Sequence, residues 1–93
     1  MDVQALIGWN VNRLRLLSGL SQEELALRVE IVSQGYISGL EAGRRNPTAV
    51  ISVLLAQALN VHVGELFSVD GAPKNLVDGP VKIKSSRSGK RSI

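Results

Sequence analysis

Between Asp2 and Ser18 the apolar residues Val3, Leu6, Ile7, Val11, Leu14 and Leu17 return every three or four positions, which sets them along one stripe of an α-helix. Asp2 is placed to cap this helix and Gly19 to end it. Ser21 opens a second helix through a Ser-x-x-Glu pattern with Glu24, in which each side chain satisfies the other residue's backbone N–H. Leu25, Ala26 and Val29 form the inward stripe of that short helix, and Glu30 to Val32 reads as a turn. Ser33 is the N-cap for a third helix over Gln34 to Ala42, with Tyr36, Ile37 and Leu40 inward and Gly43 as the stop. Thr48 caps a fourth, Ala49 to Leu59, which Asn60 ends, and a short last helix around Val63 to Phe67 closes the core.

Beyond Ser68 the pattern dissolves. Gly71, Pro73, Gly79, Pro80 and a Ser, Lys, Arg and Gly-rich end surround only scattered apolar residues, Leu76, Val77, Val81 and Ile83, so residues 68–93 read as a flexible basic tail on a domain of residues 1–67. The alternation at Val81 to Lys84 would suit a brief strand if it found a partner. No internal repeat is visible. The fold expected is all-α, compact and five-helical.

Charge follows the same division. Residues 1–67 hold five Arg against six Asp and Glu, a net of −1, whereas residues 68–93 hold six Lys and Arg against two Asp, a net of +4. A nearly neutral body does not announce a polyanionic partner by its sum, so individual cations matter more. The chain has no cysteine and one histidine, which leaves no thiolate ligand set, no histidine cluster and no cysteine nucleophile. His62 is expected to open the last helical turn in a structural role. There is no phosphate loop, no spaced metal set and no Ser-His-Asp constellation, so neither enzyme activity, cofactor nor metal is expected. The apolar stretches fall short of a bilayer span and no export signal is seen; the composition fits a reducing cytoplasm.

Three spaced strings carry the most information: Ser21-Gln22-Glu23-Glu24-Leu25-Ala26, Ser33-Gln34-Gly35-Tyr36-Ile37-Ser38, and Leu40-Glu41-Ala42-Gly43-Arg44-Arg45-Asn46-Pro47. Together they resemble the Cro and lambda-repressor type of helix-turn-helix domain, the xenobiotic-response-element family, over roughly Ile7 to Phe67. The turn at Glu30-Ile31-Val32 is one residue longer than is usual there. The resemblance implies a lambda-repressor-like five-helix plan and sequence-specific binding of double-stranded DNA by a cytoplasmic transcriptional regulator, a repressor or autoregulator. In that geometry the supporting helix crosses the DNA backbone and the next helix offers its first residues to the major groove, for which lambda repressor and Cro are standard examples.

On this footing Gln34 is the foremost base-reading candidate, because its amide donates and accepts at once and matches adenine N7 and N6. Gly35 and Ser38 share its accessible face, and Gly35 and Gly39 each cost the helix roughly 1 kcal/mol relative to Ala. Tyr36 either reaches DNA or packs partly into the core. Gln22, Ser33, Arg44, Arg45 and Asn46 are candidates for phosphate contact, which fixes register without reading sequence, and the resemblance also lets Gln22 brace Gln34. Arg15 and Glu41 resemble a structural ion pair of the family.

The fourth helix contains only two polar residues, Ser52 and Gln57, so its apolar surface nearly encircles it. Val50, Ile51 and Leu54 fall where relatives commonly expose polar residues, which points to a homodimer interface; cover by Leu76 or Val77 of the tail is the alternative. A protein-interaction adaptor that keeps the fold without DNA contacts is the competing function.

Overall fold

The first four helices each start on the side chain that the sequence places there. The computed structural model describes residues 1–84, and within them α1 spans Val3–Leu17, α2 Gln22–Val29, α3 Gln34–Glu41, α4 Ala49–Leu59 and α5 Lys74–Val77, with a turn of 3-10 helix at Val63–Phe67. Asp2 Oδ1 accepts from the Ala5 N–H, Ser33 Oγ from Tyr36 and Thr48 Oγ1 from Ile51. At α2 the capping box is complete: Ser21 Oγ accepts from the Glu24 N–H at 3.0 Å and Glu24 Oε1 from the Ser21 N–H at 2.8 Å. These bonds satisfy N–H groups that helix starts otherwise leave without partners.

The helix ends are equally local. Gly43 stops α3 at φ +77° and Asn60 stops α4 at φ +58°, a backbone region that glycine and asparagine enter at least cost. Glu30, which ends α2, sits at φ +74° without either advantage, so this turn stores backbone strain on the order of 1 kcal/mol.

The core runs through all the longer elements: Leu6, Ile7, Val11 and Leu14 of α1, Leu25, Ala26 and Val29 of α2, Ile37 and Leu40 of α3, Leu55, Ala56 and Leu59 of α4, and Leu66 of the 3-10 turn are buried. α3 packs on both α1 and α2 and so cannot shift without them. Its approach to α1 depends on Gly8, where an added Cβ would collide with the Leu40 carbonyl oxygen. Asn10, fully buried, donates through Nδ2 to the carbonyls of Leu66 and Ser68 and accepts from Arg13, which ties the 3-10 turn to α1.

Three expectations change in detail. The last helical segment of the expected plan forms as 3-10, and α5 is an element the pattern did not suggest. No strand is present among the described residues; Val81 to Lys84 form no regular element, and the Lys82 N–H donates to the Met1 carbonyl. Composition suggests a free arm from Ser68 onward, yet residues 68–84 return to α1: α5 packs on it and the Asp2 N–H donates to the Leu76 carbonyl at 2.8 Å. Arg87, Lys90 and Arg91 lie outside the described residues.

Candidate nucleic-acid interface

The first turn of α3 stands out from the body because its N-cap, Ser33, and the next two residues, Gln34 and Gly35, are exposed. Ile37 and Leu40 anchor the opposite face of the helix in the core. Ser38 and Tyr36 are half-buried, and the Tyr36 ring packs against the core edge. Of the two roles open to Tyr36, the packing one is thus met, and its outer face carries the Arg45 guanidinium at 5.2 Å from the ring centroid. A Cβ on Gly39 would stand 3.3 Å from the Arg45 side chain, so the lack of one lets Arg45 lie across α3. At Gly35 only Ser33 Oγ, at 3.7 Å, is nearby, which leaves the exposed side of that turn open to close approach.

Behind the surface lies a chain of side-chain bonds that starts in the core. Arg15 and Glu41 form a two-toothed pair, Nε to Oε2 at 2.6 Å and Nη2 to Oε1 at 2.9 Å, with both side chains almost wholly buried. Asn12 Nδ2 and Gln22 Nε2 also donate to Glu41 Oε1, and Gln34 Nε2 donates to Gln22 Oε1 at 2.8 Å. Burial pushes the Glu41 carboxyl up, but the bonds from Arg15, Asn12 and Gln22 outweigh it and hold the group below its ordinary range. The bond to Glu41 raises Arg15 in turn.

The charge of Glu41 has a directional consequence. A carboxylate only accepts, so the Gln22 amide must turn its nitrogen inward and its oxygen toward Gln34. Gln34 must then give one N–H to Gln22, which leaves its other N–H and its Oε1 for a ligand. The relay thus holds a donor and an acceptor side by side at the exposed start of α3.

At the other end of α3, Arg44, Arg45 and Asn46 are exposed and line a cleft of about 580 Å3 together with Gln4, Tyr36, Gly43 and Lys84. The predicted residues therefore form two groups, Gln22, Ser33, Gln34 and Gly35 at the start of α3 and Arg44, Arg45 and Asn46 after its end. The α4 residues lie apart from both. There Val50 is 67% exposed, while Ile51 and Leu54 are half-buried and pack against the core; Val53, which the phase of the pattern did not single out, is the second large apolar side chain exposed on the helix. Sequence reasoning also missed Asn12, and it counted Lys84 only among the cations of a mobile tail that adds affinity. Asn12 had a weak signal in its place next to the apolar stripe of α1, whereas nothing local marks the return of Lys84 to Asp2 and Gly43.

Among the described residues no cluster of His, Asp and Glu is placed to hold a metal ion, and no helix is long and apolar enough to cross a membrane. His62 is exposed before the 3-10 turn and makes no capping bond.

Comparison with known proteins gives the geometry its context. The model of the helix-turn-helix family matches residues 11–66, more than half of the chain. The chain belongs to the helix-turn-helix family. This domain is similar to the uncharacterized HTH-type transcriptional regulator y4dJ of Sinorhizobium fredii, 49% identical over 74 residues that cover 78% of this chain and 95% of that protein. It is also similar to the control protein C.SmaI of Serratia marcescens, 35% identical over 71 residues, 76% of this chain and 83% of that one. Among solved structures, the restriction-modification controller protein C.AhdI from Aeromonas hydrophila superposes with a TM-score of 0.66 at 38% identity, covering 69% of this chain and 91% of that one. As a member of this helix-turn-helix family the protein is a DNA-binding regulator of transcription, of the Cro/C1 type.

Proposed function

We propose that this regulator binds an inverted repeat in double-stranded DNA as a symmetric homodimer and acts in the cytoplasm as a repressor or autoregulator. Residues 1–67 do the reading, and the cations of residues 68–93 add affinity. The observation that carries the proposal is the relay from Glu41 through Gln22 to Gln34, because it presents at the exposed end of α3 an amide whose donor and acceptor are both assigned. That pair matches adenine N7 and N6 in the major groove, with Gly35 leaving room for the base edge and Ser38 beside it. Tyr36 lies next to these readers. Gln22, Ser33, Arg44, Arg45 and Asn46 flank the reading turn as phosphate contacts that set register.

The dimer reading rests on α4. Val50 and Val53 are exposed on it, Ile51 and Leu54 fill in the edge toward the core, and Val63 and Phe67 are exposed on the adjoining 3-10 turn. Residues 68–84 run over α1 and leave these side chains uncovered. A twofold pairing of identical apolar patches closes on itself and sets two copies of α3 about 34 Å apart, one turn of DNA.

Selection of bound fragments from a random-sequence duplex library tests the whole reading. Enrichment of an inverted repeat with half-site centres about 10 base pairs apart is expected. No enrichment would favour a protein-interaction adaptor, and a lone half-site would remove the dimer.

A further inference from the structure

Lys84 lies outside the segment that matches the helix-turn-helix family, yet it sits at the DNA-facing loop. The chain after Phe67 crosses α1 as α5, bonds back to the N-terminal residues, and delivers the Lys84 ammonium to Asp2 Oδ1 at 2.8 Å and to the Gly43 carbonyl at 3.3 Å. Gly43 is the residue that ends α3, immediately before Arg44. Among the described residues the cleft there is lined by Gln4, Tyr36, Arg44, Arg45, Asn46 and Lys84, so three cations, two amides and a phenol surround one space and no described carboxylate lines it.

We infer that this cleft is a DNA phosphate site in which Lys84 is a contact in its own right, a cation that the C-terminal segment carries back to the reading helix. The inference rests on the DNA-binding reading above. An ammonium has three N–H groups; Asp2 and Gly43 use two, and the third remains for an anion. Arg45 is held over Tyr36 and across Gly39, so two of the three cations stand at fixed positions before any ligand arrives. A fixed cation adds register as well as charge, which a freely moving arm would not. Asp2 has two tasks: it caps α1 and it holds Lys84 in place.

Binding of the full chain to a short random-sequence duplex, followed by fluorescence anisotropy over a series of salt concentrations, separates the possibilities. Lys84→Gln should lower the slope of log affinity against log salt by about 0.9 and weaken binding on the order of eightfold at 0.1 M salt, the value of one released counterion. Lys84→Arg should keep the slope. Asp2→Asn, which preserves the cap and removes only the charge, should leave binding unchanged or tighter. If Lys84→Gln leaves the slope intact while Arg45→Gln lowers it, Lys84 is no phosphate contact although the protein still binds DNA through its loop. Equal weakening by Asp2→Asn and Lys84→Gln would make the bridge a structural tie and overturn the inference. Inorganic phosphate that binds the native chain and not Lys84→Gln, while both chains bind the duplex with the same affinity and salt slope, would assign the cleft to a free anion instead. A native chain that binds no duplex at any salt concentration would sink the DNA-binding reading itself.

Discussion

The start of α3 and the outer side of α4 dispose of their surplus groups in opposite ways. Around α3 the polar side chains that the fold draws inward all find partners: Arg15, Asn12 and Gln22 converge on Glu41, and the last bond in the series surfaces at Gln34. No buried side-chain nitrogen or oxygen among the described residues lacks a hydrogen bond. On α4 the surplus is apolar. Val50 and Val53 face water, and the helix's buried polar residue, Ser52, is satisfied by its own Thr48 carbonyl. A polar network fixes the direction of donors and acceptors and so suits a ligand with a defined hydrogen-bond pattern; an apolar face fixes only shape and suits a second protein surface.

The polar region should be the more fragile of the two. Glu41→Ala strands a buried guanidinium and should cost about 3 to 5 kcal/mol in urea or guanidinium unfolding. Acid should act on the same group. The carboxyl of Glu41 is depressed in the folded state, so the stability it contributes is present above the ordinary glutamate range and lost as pH falls through the lower, folded value. The native chain should therefore lose more stability than Glu41→Gln as pH drops below that range. Equal acid sensitivity of the two would remove Glu41 as the keystone.

The apolar region should respond in assembly instead of stability. Val53→Glu should give a folded monomer by circular dichroism and sedimentation, with operator affinity down about a hundredfold through the lost second half-site. Val53 is a cleaner place for the charge than Leu54, whose half-buried side chain also serves the core. A dimer that persists in Val53→Glu would mean that the two copies meet elsewhere.

Smaller changes sharpen the contrast at α3. Gly35→Ala meets no steric obstacle within the free protein, so it should stabilise the helix by up to about 1 kcal/mol while weakening the preferred DNA site. Tighter binding would show that no base edge approaches there. Glu30→Gly should relieve the positive φ of the turn and raise stability by a few tenths of a kcal/mol to about 1 kcal/mol, with unchanged base preference.

Much of this contrast could be read from residue order because its signals are local. The caps Asp2, Ser21, Ser33 and Thr48 and the stops Gly43 and Asn60 act within a turn of their own helices. Ser33-Gln34 and the Arg44-Arg45-Asn46 run likewise mark both ends of α3. What stayed hidden depends on partners far along the chain. Asn10 bonds Leu66 and Ser68 across 56 and 58 positions; its place on the apolar stripe three residues after Ile7 was the only trace. Lys84 finds Asp2 and Gly43 only after residues 68–84 turn back over α1, a path for which their Gly- and Pro-rich composition holds no periodic cue. For α4 the difficulty was phase: a helix apolar on nearly all sides does not say which residues face out, so Ile51 and Leu54 were expected where Val53 is found.

The relay and its reading tip meet in one residue, and Gln34→Ala interrogates both. Its binding to the selected operator and to a panel of single-base-pair variants, measured beside the native chain at one salt concentration, should show a loss of about 1 to 3 kcal/mol on the operator and a relaxed preference at a single base pair in each half-site. Uniform weakening across every sequence in the panel would contradict the base-reading role of Gln34.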